Sequence, residues 1–370
     1  MKRPTVAIVG AGIFGVSCAL ELGKFCDVVV YEQHDDIMME GTYGNQYRHH
    51  AGYHYPRSAE TVQQCQRAEA DFNAVWGSAI IRNFPAYYAV AREGSKVTAQ
   101  EFLAFCDRLH LPYITAYPSD EFLNKDQVAV CVETPEPVYG YTELRSLAKK
   151  YLLDNPHIHL KTEHQVVAAQ IDTASGKKKF SVQASGQTVE ESFDYAVNAM
   201  YANHNVFGNW FGFPVSPIEF RLKEIVVIDL PVKETLAVTI MDGPFMTLVP
   251  TGIPGQFTFG DVARSIHEAR VSTAGIPWRY EDRSRASRFA EMCEHDIAFM
   301  PILEKAKYVK SIFSVLPIQP HAHDTDARLT IVTNHGEGCW SVFEGKIITC
   351  VSAAKEIARN LKDGWQSNIF

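Results

Sequence analysis

Short apolar runs and a stretch of helical periodicity alternate at the start of the chain. Residues 6–9 form an apolar run long enough for one buried parallel strand, and residues 28–31 form a second run. Between these runs, apolar residues recur at helical spacing from Val16 to Leu22. The order strand, helix, strand predicts a βαβ unit with a parallel sheet, and therefore an α/β fold class.

A glycine-rich turn joins the first predicted strand to the first predicted helix. Gly10 allows a tight turn, Gly12 lets the backbone approach a pyrophosphate, and Gly15 lets the helix pack closely on the strand. The helix N-terminus offers free N–H groups to phosphates. Glu32 ends the second strand, where a carboxylate accepts hydrogen bonds from a ribose diol. The pattern predicts a dinucleotide site that contains Gly10, Ala11, Gly12, Ile13, Phe14, Gly15, Glu32 and Gln33.

The pattern further along the chain predicts additional helices and strands. Ser58 and Thr98 are each placed to cap a helix N-terminus, and Glu101 completes a capping box with Thr98. Helices are predicted over residues 58–77, 98–109, 141–153, 280–305 and 345–361. Strands are predicted over residues 80–91, 157–160, 165–171, 179–183, 225–228, 236–240 and 329–332, with a turn over residues 334–341.

The composition is that of an ordinary globular protein, with 46% hydrophobic and 21% charged residues among 370. A net charge of −8 argues against a nucleic-acid-binding surface. No apolar run approaches the ~20 residues that span a bilayer, and the chain opens directly in a strand. We therefore expect a cytoplasmic protein without stable membrane insertion, whose eight cysteines are mostly buried free thiols.

The segment 38–57 follows the second predicted strand and has neither helical nor strand periodicity. It is rich in Gly, Asn, His, Tyr and Arg. A nicotinamide-dependent dehydrogenase would usually continue here with another helix and strand. An irregular polar loop at this position instead favours a segment that lies along an extended cofactor such as FAD.

Residues 41–57 resemble the second motif of the D-amino-acid-oxidase-like (DAO) family of FAD-dependent oxidoreductases. They are most similar to its L-2-hydroxyglutarate oxidase/dehydrogenase branch, through Gly44-Asn45 and the run HAGYHYP at residues 50–56. The chain departs from that branch at residues 46–49, which add polar bulk, and at His54, where the branch has an aromatic residue. The resemblance implies an FAD-binding Rossmann-like domain of the glutathione-reductase/D-amino-acid-oxidase type, with an inserted mixed β-sheet substrate domain.

The resemblance also implies how the chain is divided and where FAD is held. The discontinuous FAD-binding domain would comprise residues 1–80, 140–210 and 325–370, and the substrate-binding domain residues 81–139 and 211–324. A strand over residues 193–199 would close the cofactor domain, and a strand, glycine turn and helix near the C-terminus would face the flavin. The implied contacts are Gly44, Asn45, Gln46, His49, Val166, Val167, Ala199, Gly338, Gly345, Lys346 and Ile347.

The densest polar cluster supplies the candidate catalytic residues. His50 is the candidate proton acceptor, His54 lies beside it, and Arg48 is placed to grip a carboxylate or phosphate. Arg221 and Arg328 are further candidates for substrate charge. Each of these residues has an ordinary alternative, a loop or surface group that satisfies its own surroundings. A covalent histidyl–flavin link, which occurs in relatives, is a further alternative.

Two features of the chain weaken particular interpretations. The Arg-Pro pair that the family usually has before its last strand is Gln319-Pro320 here, which weakens an amino-acid substrate. His321, His323, Asp324 and Asp326 do not have the spacing of a closed zinc site, so we expect no metal.

The resemblance implies an FAD-dependent oxidase or dehydrogenase that oxidises a C–OH or C–NH bond of a small anionic substrate by hydride transfer to flavin N5. One alternative is a flavoenzyme of nucleotide-sugar, polysaccharide or natural-product biosynthesis with the same fold. A nicotinamide dehydrogenase and a non-catalytic flavin-binding module are the others. The oligomeric state and the electron acceptor stay open.

Overall fold

A computed structural model of the protein describes residues 2–319 and 325–367. The helices are α1 (Ile13–Leu22), α2 (Ala59–Trp76), α3 (Ala99–Arg108), α4 (Tyr141–Asp154), α5 (His204–Phe211), α6 (Phe289–Asp296) and α7 (Cys350–Ser367). The strands are β1 (Thr5–Val9), β2 (Asp27–Tyr31), β3 (Ile80–Ile81), β4 (Ala86–Ala91), β5 (Ile114–Thr115), β6 (Val128–Thr134), β7 (Val138–Tyr139), β8 (Ile158–Lys161), β9 (Gln165–Ile171), β10 (Lys178–Ala184), β11 (Gln187–Phe193), β12 (Tyr195–Asn198), β13 (Ile218–Asp229), β14 (Ala237–Met241), β15 (Met246–Pro250), β16 (Gln256–Asp261), β17 (Ile266–Ser272), β18 (Lys307–Ile318), β19 (Ile331–Gly336) and β20 (Cys339–Phe343).

Strand β1 lies inside a six-stranded sheet with the order β19-β20-β12-β1-β2-β8. All neighbours in this sheet are parallel except β19 and β20, which pair antiparallel. Val9 pairs with Tyr31 on one side and with Asn198 on the other, and Asn198 pairs with Ser341. The carboxyl ends of β1, β2, β12 and β20 therefore share one edge, which is where open α/β sheets bind ligands.

Helix α1 is buried between this sheet and the C-terminal helix α7. Phe14 and Val16 of α1 share one hydrophobic cluster with Val6 of β1 and with Ala354 and Ile357 of α7. Because α1 is covered on nearly every side, its N-terminus is fixed against the carboxyl edge of the sheet.

Among the described residues, none of the helices has both the length and the apolar character needed to cross a membrane.

A nine-stranded mixed sheet forms the other large layer, with the order β17-β13-β16-β15-β14-β4-β6-β5 and β18 paired to β13. The irregular segment 38–57 contacts both parts of the molecule. Its Asn45 Oδ1 accepts a hydrogen bond from the Tyr139 hydroxyl of β7 at 2.7 Å. Its Gln46 Oε1 accepts one from Thr247 Oγ1 of β15, also at 2.7 Å. Segment 38–57 is therefore anchored to β7, which forms a separate two-stranded sheet with β3, and to β15 of the nine-stranded sheet.

The local signals in the sequence are confirmed. The N-terminal βαβ unit is present, Ser58 Oγ accepts a hydrogen bond from the N–H of Thr61, and Thr98 and Glu101 form the predicted capping box. The strand predicted over residues 80–91 is interrupted into β3 and β4 before Ala86, because Pro85 cannot donate to a sheet ladder.

Two predicted segments need correction. The helix predicted over residues 280–305 is only α6 with a short 3₁₀-helix (Pro301–Lys305), since Pro301 cannot donate within a continuous helix. The turn predicted over residues 334–341 is a hairpin, in which β20 follows β19. All eight cysteines are free, and Cys293 alone among them is half-buried rather than buried.

Each large sheet lies within one part of the predicted domain division, whereas β3 (Ile80–Ile81) straddles its boundary and pairs with β7, so the division itself stays a prediction. Every strand of the six-stranded sheet and of the antiparallel sheet β9–β11 lies within residues 1–80, 140–210 or 325–370. Every strand of the nine-stranded sheet lies within residues 81–139 or 211–324. The assignment of these parts to FAD and to substrate stays a prediction.

Candidate active site

The glycine turn after β1 has three different steric requirements. Gly10 has a φ of +101°, and a Cβ there would lie 2.3 Å from the carbonyl oxygen of Ala199. A Cβ on Gly15 would lie 1.9 Å from the carbonyl oxygen of Gly10. A Cβ on Gly12 would meet only Thr42 Oγ1, at 3.7 Å. Protein packing thus requires Gly10 and Gly15, whereas Gly12 keeps open the space beside the N-terminus of α1.

Glu32 stands at the carboxyl end of β2 as predicted. Its Oε2 accepts a hydrogen bond from the N–H of Ala11 at 2.9 Å, and its Oε1 accepts one from the N–H of His34 at 3.0 Å. Burial raises the pKa of this carboxyl group. Gln33 is exposed beside it. The carboxylate therefore fixes the glycine turn and leaves its remaining acceptor capacity at the sheet edge.

The start of β9 lies next to Glu32, because the N–H of His164 donates to the Glu32 carbonyl oxygen at 2.8 Å. Val166 is buried in a cluster with Tyr31, and Val167 is 42% exposed. These positions are consistent with an adenine-binding strand, a role that stays a prediction.

A cavity of about 590 Å³ opens at the carboxyl edge of the six-stranded sheet and extends to the nine-stranded sheet. Each of the four predicted catalytic residues lines it, namely Arg48, His50, His54 and Arg221. Predicted cofactor contacts that also line it are Ile13, Phe14, Gly44, Asn45, Gln46, Gly345, Lys346 and Ile347. The structure thus brings together segments from the start, the middle and the end of the chain.

Among the predicted cofactor contacts that do not line the cavity, His49 and Gly338 also lie away from the glycine turn. His49 is 1% exposed, and its ring packs edge-on against Phe72 of α2 at 5.1 Å, so it does not line the cavity. Gly338 directly precedes β20 and lies beside the ring of Tyr195, near the amino end of the sheet rather than at its carboxyl edge. Because β20 lies between Gly338 and Gly345, only Gly345 is at the carboxyl edge where the cavity opens. The predicted cofactor contact at Gly338 is therefore corrected.

Three cavity-lining groups surround the ring of Tyr55. The Lys346 Nζ lies 4.3 Å from the ring centroid, and the His50 and His54 rings lie at 5.6 and 5.2 Å. Burial lowers the pKa of both imidazoles, His50 further through Lys346 and His54 further through Arg48. Burial and Arg48 also lower the pKa of Lys346 to about 7. The imidazoles are therefore neutral at pH 7, and their Nδ1 atoms have no hydrogen-bond partner in the described chain.

Arg48 makes its hydrogen bonds to strands of the nine-stranded sheet, although it also lines the cavity. Its guanidinium donates to the Tyr88 hydroxyl at 3.1 Å and to Thr239 Oγ1. The Tyr88 hydroxyl donates in turn to the carboxylate of Glu136. Sequence reasoning missed Tyr88 of β4 and Glu136, which lies between β6 and β7, since nothing in their local sequence marks them as part of a site.

A second cationic group lines the cavity on the β13 side. Arg221 pairs with Glu219 at 2.5 Å, and Arg328 pairs with Asp326 at 2.6 Å. Lys223 also lines the cavity, and burial together with the neighbouring Arg48 lowers its pKa to about 8. Sequence reasoning missed Lys223, although its spacing of two from Arg221 on a strand places both side chains on one face.

One group of described residues resembles a metal site, formed by Asp261, His295 and Asp296. Arg264 already pairs with the Asp261 carboxylate at 3.0 Å, and His295 lies 2.8 Å from the Asp296 carboxylate. Each member of the group therefore has a partner within the protein, but Asp296 Oδ2 is buried without a hydrogen-bond partner among the described residues. The candidates His321, His323 and Asp324 lie outside the described residues.

The residues present fit an FAD molecule. The open space at Gly12 lies beside the N-terminus of a buried helix, which suits a pyrophosphate. The cavity begins at Ile13 and Phe14 of that helix and continues past Gln46 and Lys346. The Gln46 Nε2 is buried without a hydrogen-bond partner in the described chain, so a donor is available to a ring system.

Comparisons with known proteins agree with this geometry. The family described as DAO, FAD dependent oxidoreductase, matches residues 5–343. The chain is 24% identical to the FAD-dependent monooxygenase FPY4 of Fusarium mangiferae, over 97% of this chain and 91% of that protein. Its fold is similar to glycine oxidase from Geobacillus kaustophilus, with a TM-score of 0.73 and 16% identity over 97% and 95% of the two chains. L-α-glycerophosphate oxidase from Mycoplasma pneumoniae, solved with FAD bound, is similar with a TM-score of 0.72 and 13% identity over 98% and 95% of the two chains. The chain belongs to the DAO family of FAD-dependent oxidoreductases.

Proposed function

We propose that this FAD enzyme oxidises a C–OH or C–NH bond of a small anionic substrate. The observation that carries the proposal is the arrangement around Tyr55, where two imidazoles with lowered pKa and the Lys346 ammonium line one cavity. A neutral imidazole can accept the proton released when such a bond is oxidised. An adjacent cation can hold a carboxylate or phosphate of the substrate.

Each residue has a proposed part in this reaction. His50 accepts the proton from the substrate hydroxyl or amine, and His54 orients the same group. Lys346 binds the anionic group, supported by Lys223 and Arg221 on the β13 side of the cavity. Arg48 acts on this site mainly through its hydrogen bonds to Tyr88 and Thr239.

The cofactor would be held by the glycine turn, by Glu32 and by the loop from Gly44 to Gln46. FAD supplies the two-electron acceptor when it is bound. Residues 345–347 lie at the carboxyl end of β20 and would border its ring system. The resemblance to the L-2-hydroxyglutarate branch, which depends on residues 44–56, makes hydroxy acids the first substrates to test.

A second candidate function is monooxygenation. It is supported by the name of the relative FPY4, an FAD-dependent monooxygenase. The two functions differ in what reduces the flavin. An oxidase or dehydrogenase takes electrons from its substrate, whereas a monooxygenase needs a separate reductant and transfers an oxygen atom to its substrate.

The test is a screen for flavin bleaching by purified holoenzyme under anaerobic conditions. Hydroxy acids, amino acids, sugar acids and glycerol phosphate are added singly, without any nicotinamide. We expect at least one anionic compound to bleach the flavin. Labelled oxygen gas, or an artificial electron acceptor if oxygen does not react, should restore the colour without incorporation of labelled oxygen into the product. Bleaching that occurs only with a nicotinamide, followed by incorporation of labelled oxygen, would establish the monooxygenase instead.

A further inference from the structure

A buried hydrogen-bonded chain connects the segment around His50 to the nine-stranded sheet. It begins at Arg48, which donates to the Tyr88 hydroxyl at 3.1 Å, and continues from that hydroxyl to Glu136 Oε1. All three side chains are buried, with exposures of 7%, 1% and 4%. Glu136 does not line the 590 Å³ cavity.

The other oxygen of Glu136 returns to the same segment. Glu136 Oε2 accepts a hydrogen bond from the N–H of Ala51 at 2.8 Å, and the carboxylate also accepts one from the N–H of Gly52. The network therefore attaches to the segment at residue 48 and again at residues 51 and 52. His50 lies between these two attachments.

The buried charges of Arg48 and Glu136 hold the side chains of this network in place. Burial raises the pKa of Glu136, whereas the Arg48 guanidinium and the hydrogen bonds from Tyr88 and the backbone lower it. A buried cation and a buried anion bridged by one phenol hold one another in place, because removal of either leaves the other uncompensated. Gly52 is further confined by the Val62 side chain, because a Cβ added at Gly52 would lie 2.7 Å from Val62 Cγ1.

We propose that Glu136 is a positioning residue that fixes the orientation of the His50 imidazole through the main chain of residues 51 and 52. Arg48 and Tyr88 complete the same network. The inference rests on the proposed role of His50. In this role, Glu136 affects turnover although its side chain contacts neither substrate nor cofactor.

The first test is the imidazole nitrogen NMR spectrum of histidine-labelled holoenzyme, with the His50 signal assigned by its loss in H50N. We expect E136A to displace or double the His50 signal, and E136Q, which keeps an acceptor oxygen for Ala51, to restore it substantially. Y88F removes only the bridging hydroxyl and should move the signal less than E136A. E224A is the matched control, because Glu224 is a fully buried carboxylate that does not line the cavity.

The second test uses the compound that bleaches the flavin fastest in the anaerobic screen. We expect E136A to lower kcat about tenfold or more, with KM and the FAD content changed less than about twofold, and E224A to leave kcat per bound flavin unchanged. An unmoved His50 signal in E136A, together with unchanged kcat, would overturn the inference. If E136A failed to fold, an unmoved signal and unchanged kcat in Y88F would overturn it instead. If H50N itself leaves kcat unchanged, the proposed role of His50 fails instead, and the two failures are thereby distinguished.

Discussion

The ammonium nitrogen of Lys346 lies 4.3 Å from the centre of the Tyr55 ring, which also contacts the rings of His50 and His54. The aromatic face stabilises a cation that burial otherwise disfavours, since the pKa of Lys346 is lowered to about 7. Lys346 follows β20, and Tyr55 lies in segment 38–57. The contact therefore joins the segment after β20 to segment 38–57 at the cavity.

Replacement of the Tyr55 ring should weaken binding of an anionic substrate. Y55L removes the cation–π contact, which is worth about 0.5–2 kcal/mol, so we expect KM to rise about 3-fold to 30-fold. Y55F keeps the ring face and is the matched control, with KM within about twofold of wild type. Steady-state kinetics on both variants check this, and an equal rise in KM for Y55F would show that the hydroxyl rather than the ring matters.

The sequence predicted local features well because each depends on a few adjacent residues. The glycine turn at Gly10–Gly15 and the capping box at Thr98 needed no knowledge of the rest of the chain. Contacts between residues that are far apart in the chain could not be predicted in this way. Glu136 meets Ala51, 85 positions away, only because the backbone around Arg48 pairs with the backbone around Val138 in the folded protein.

The error at Gly338 has a related cause. Residues 339–343 (CWSVF) are short and include a central serine, so their strand was not separated from the turn before it. Only the parallel pairing of β20 with β12 shows that the cavity lies at the end of β20, at Gly345. Lys223 was missed because a lysine on an alternating strand ordinarily faces solvent, whereas here both Arg221 and Lys223 of β13 line the cavity.

Substitutions in the glycine turn should separate cofactor binding from folding. In G12A, the new Cβ meets only Thr42 Oγ1 at 3.7 Å, so the apoprotein should keep its free energy of unfolding within about 1 kcal/mol while the Kd for FAD rises at least tenfold. In G15A, the Cβ would lie 1.9 Å from a carbonyl oxygen, and the fold itself should be destabilised. Denaturant unfolding of the apoproteins and FAD titrations measure both quantities. Loss of stability in G12A equal to that in G15A would argue against a phosphate site at Gly12.

The adjacent histidines provide a matched pair for testing proton transfer. H50N removes the proposed proton acceptor, and we expect kcat to fall about 10²-fold to 10⁴-fold with FAD still bound. H49N alters a side chain that packs on Phe72 outside the cavity. It should lower the free energy of unfolding by about 1–3 kcal/mol and leave kcat per bound flavin nearly unchanged. Rapid-mixing measurements of anaerobic flavin reduction give the rates, and comparable losses in the two variants would contradict the assignment.

The lowered pKa of Lys346 predicts a pH dependence of substrate binding. Only the protonated ammonium attracts an anion, so binding should be strongest below about pH 7 and should weaken as the pH rises through that value. Above it, KM should increase towards tenfold per pH unit, and deprotonation of Lys223 near pH 8 should add to the loss. K346R carries a guanidinium that stays protonated in this range, and its KM should stay nearly flat up to the titration of Lys223. Profiles of KM from pH 6 to 9 decide the matter, because coincident curves for wild type and K346R would exclude Lys346 as the titrating cation.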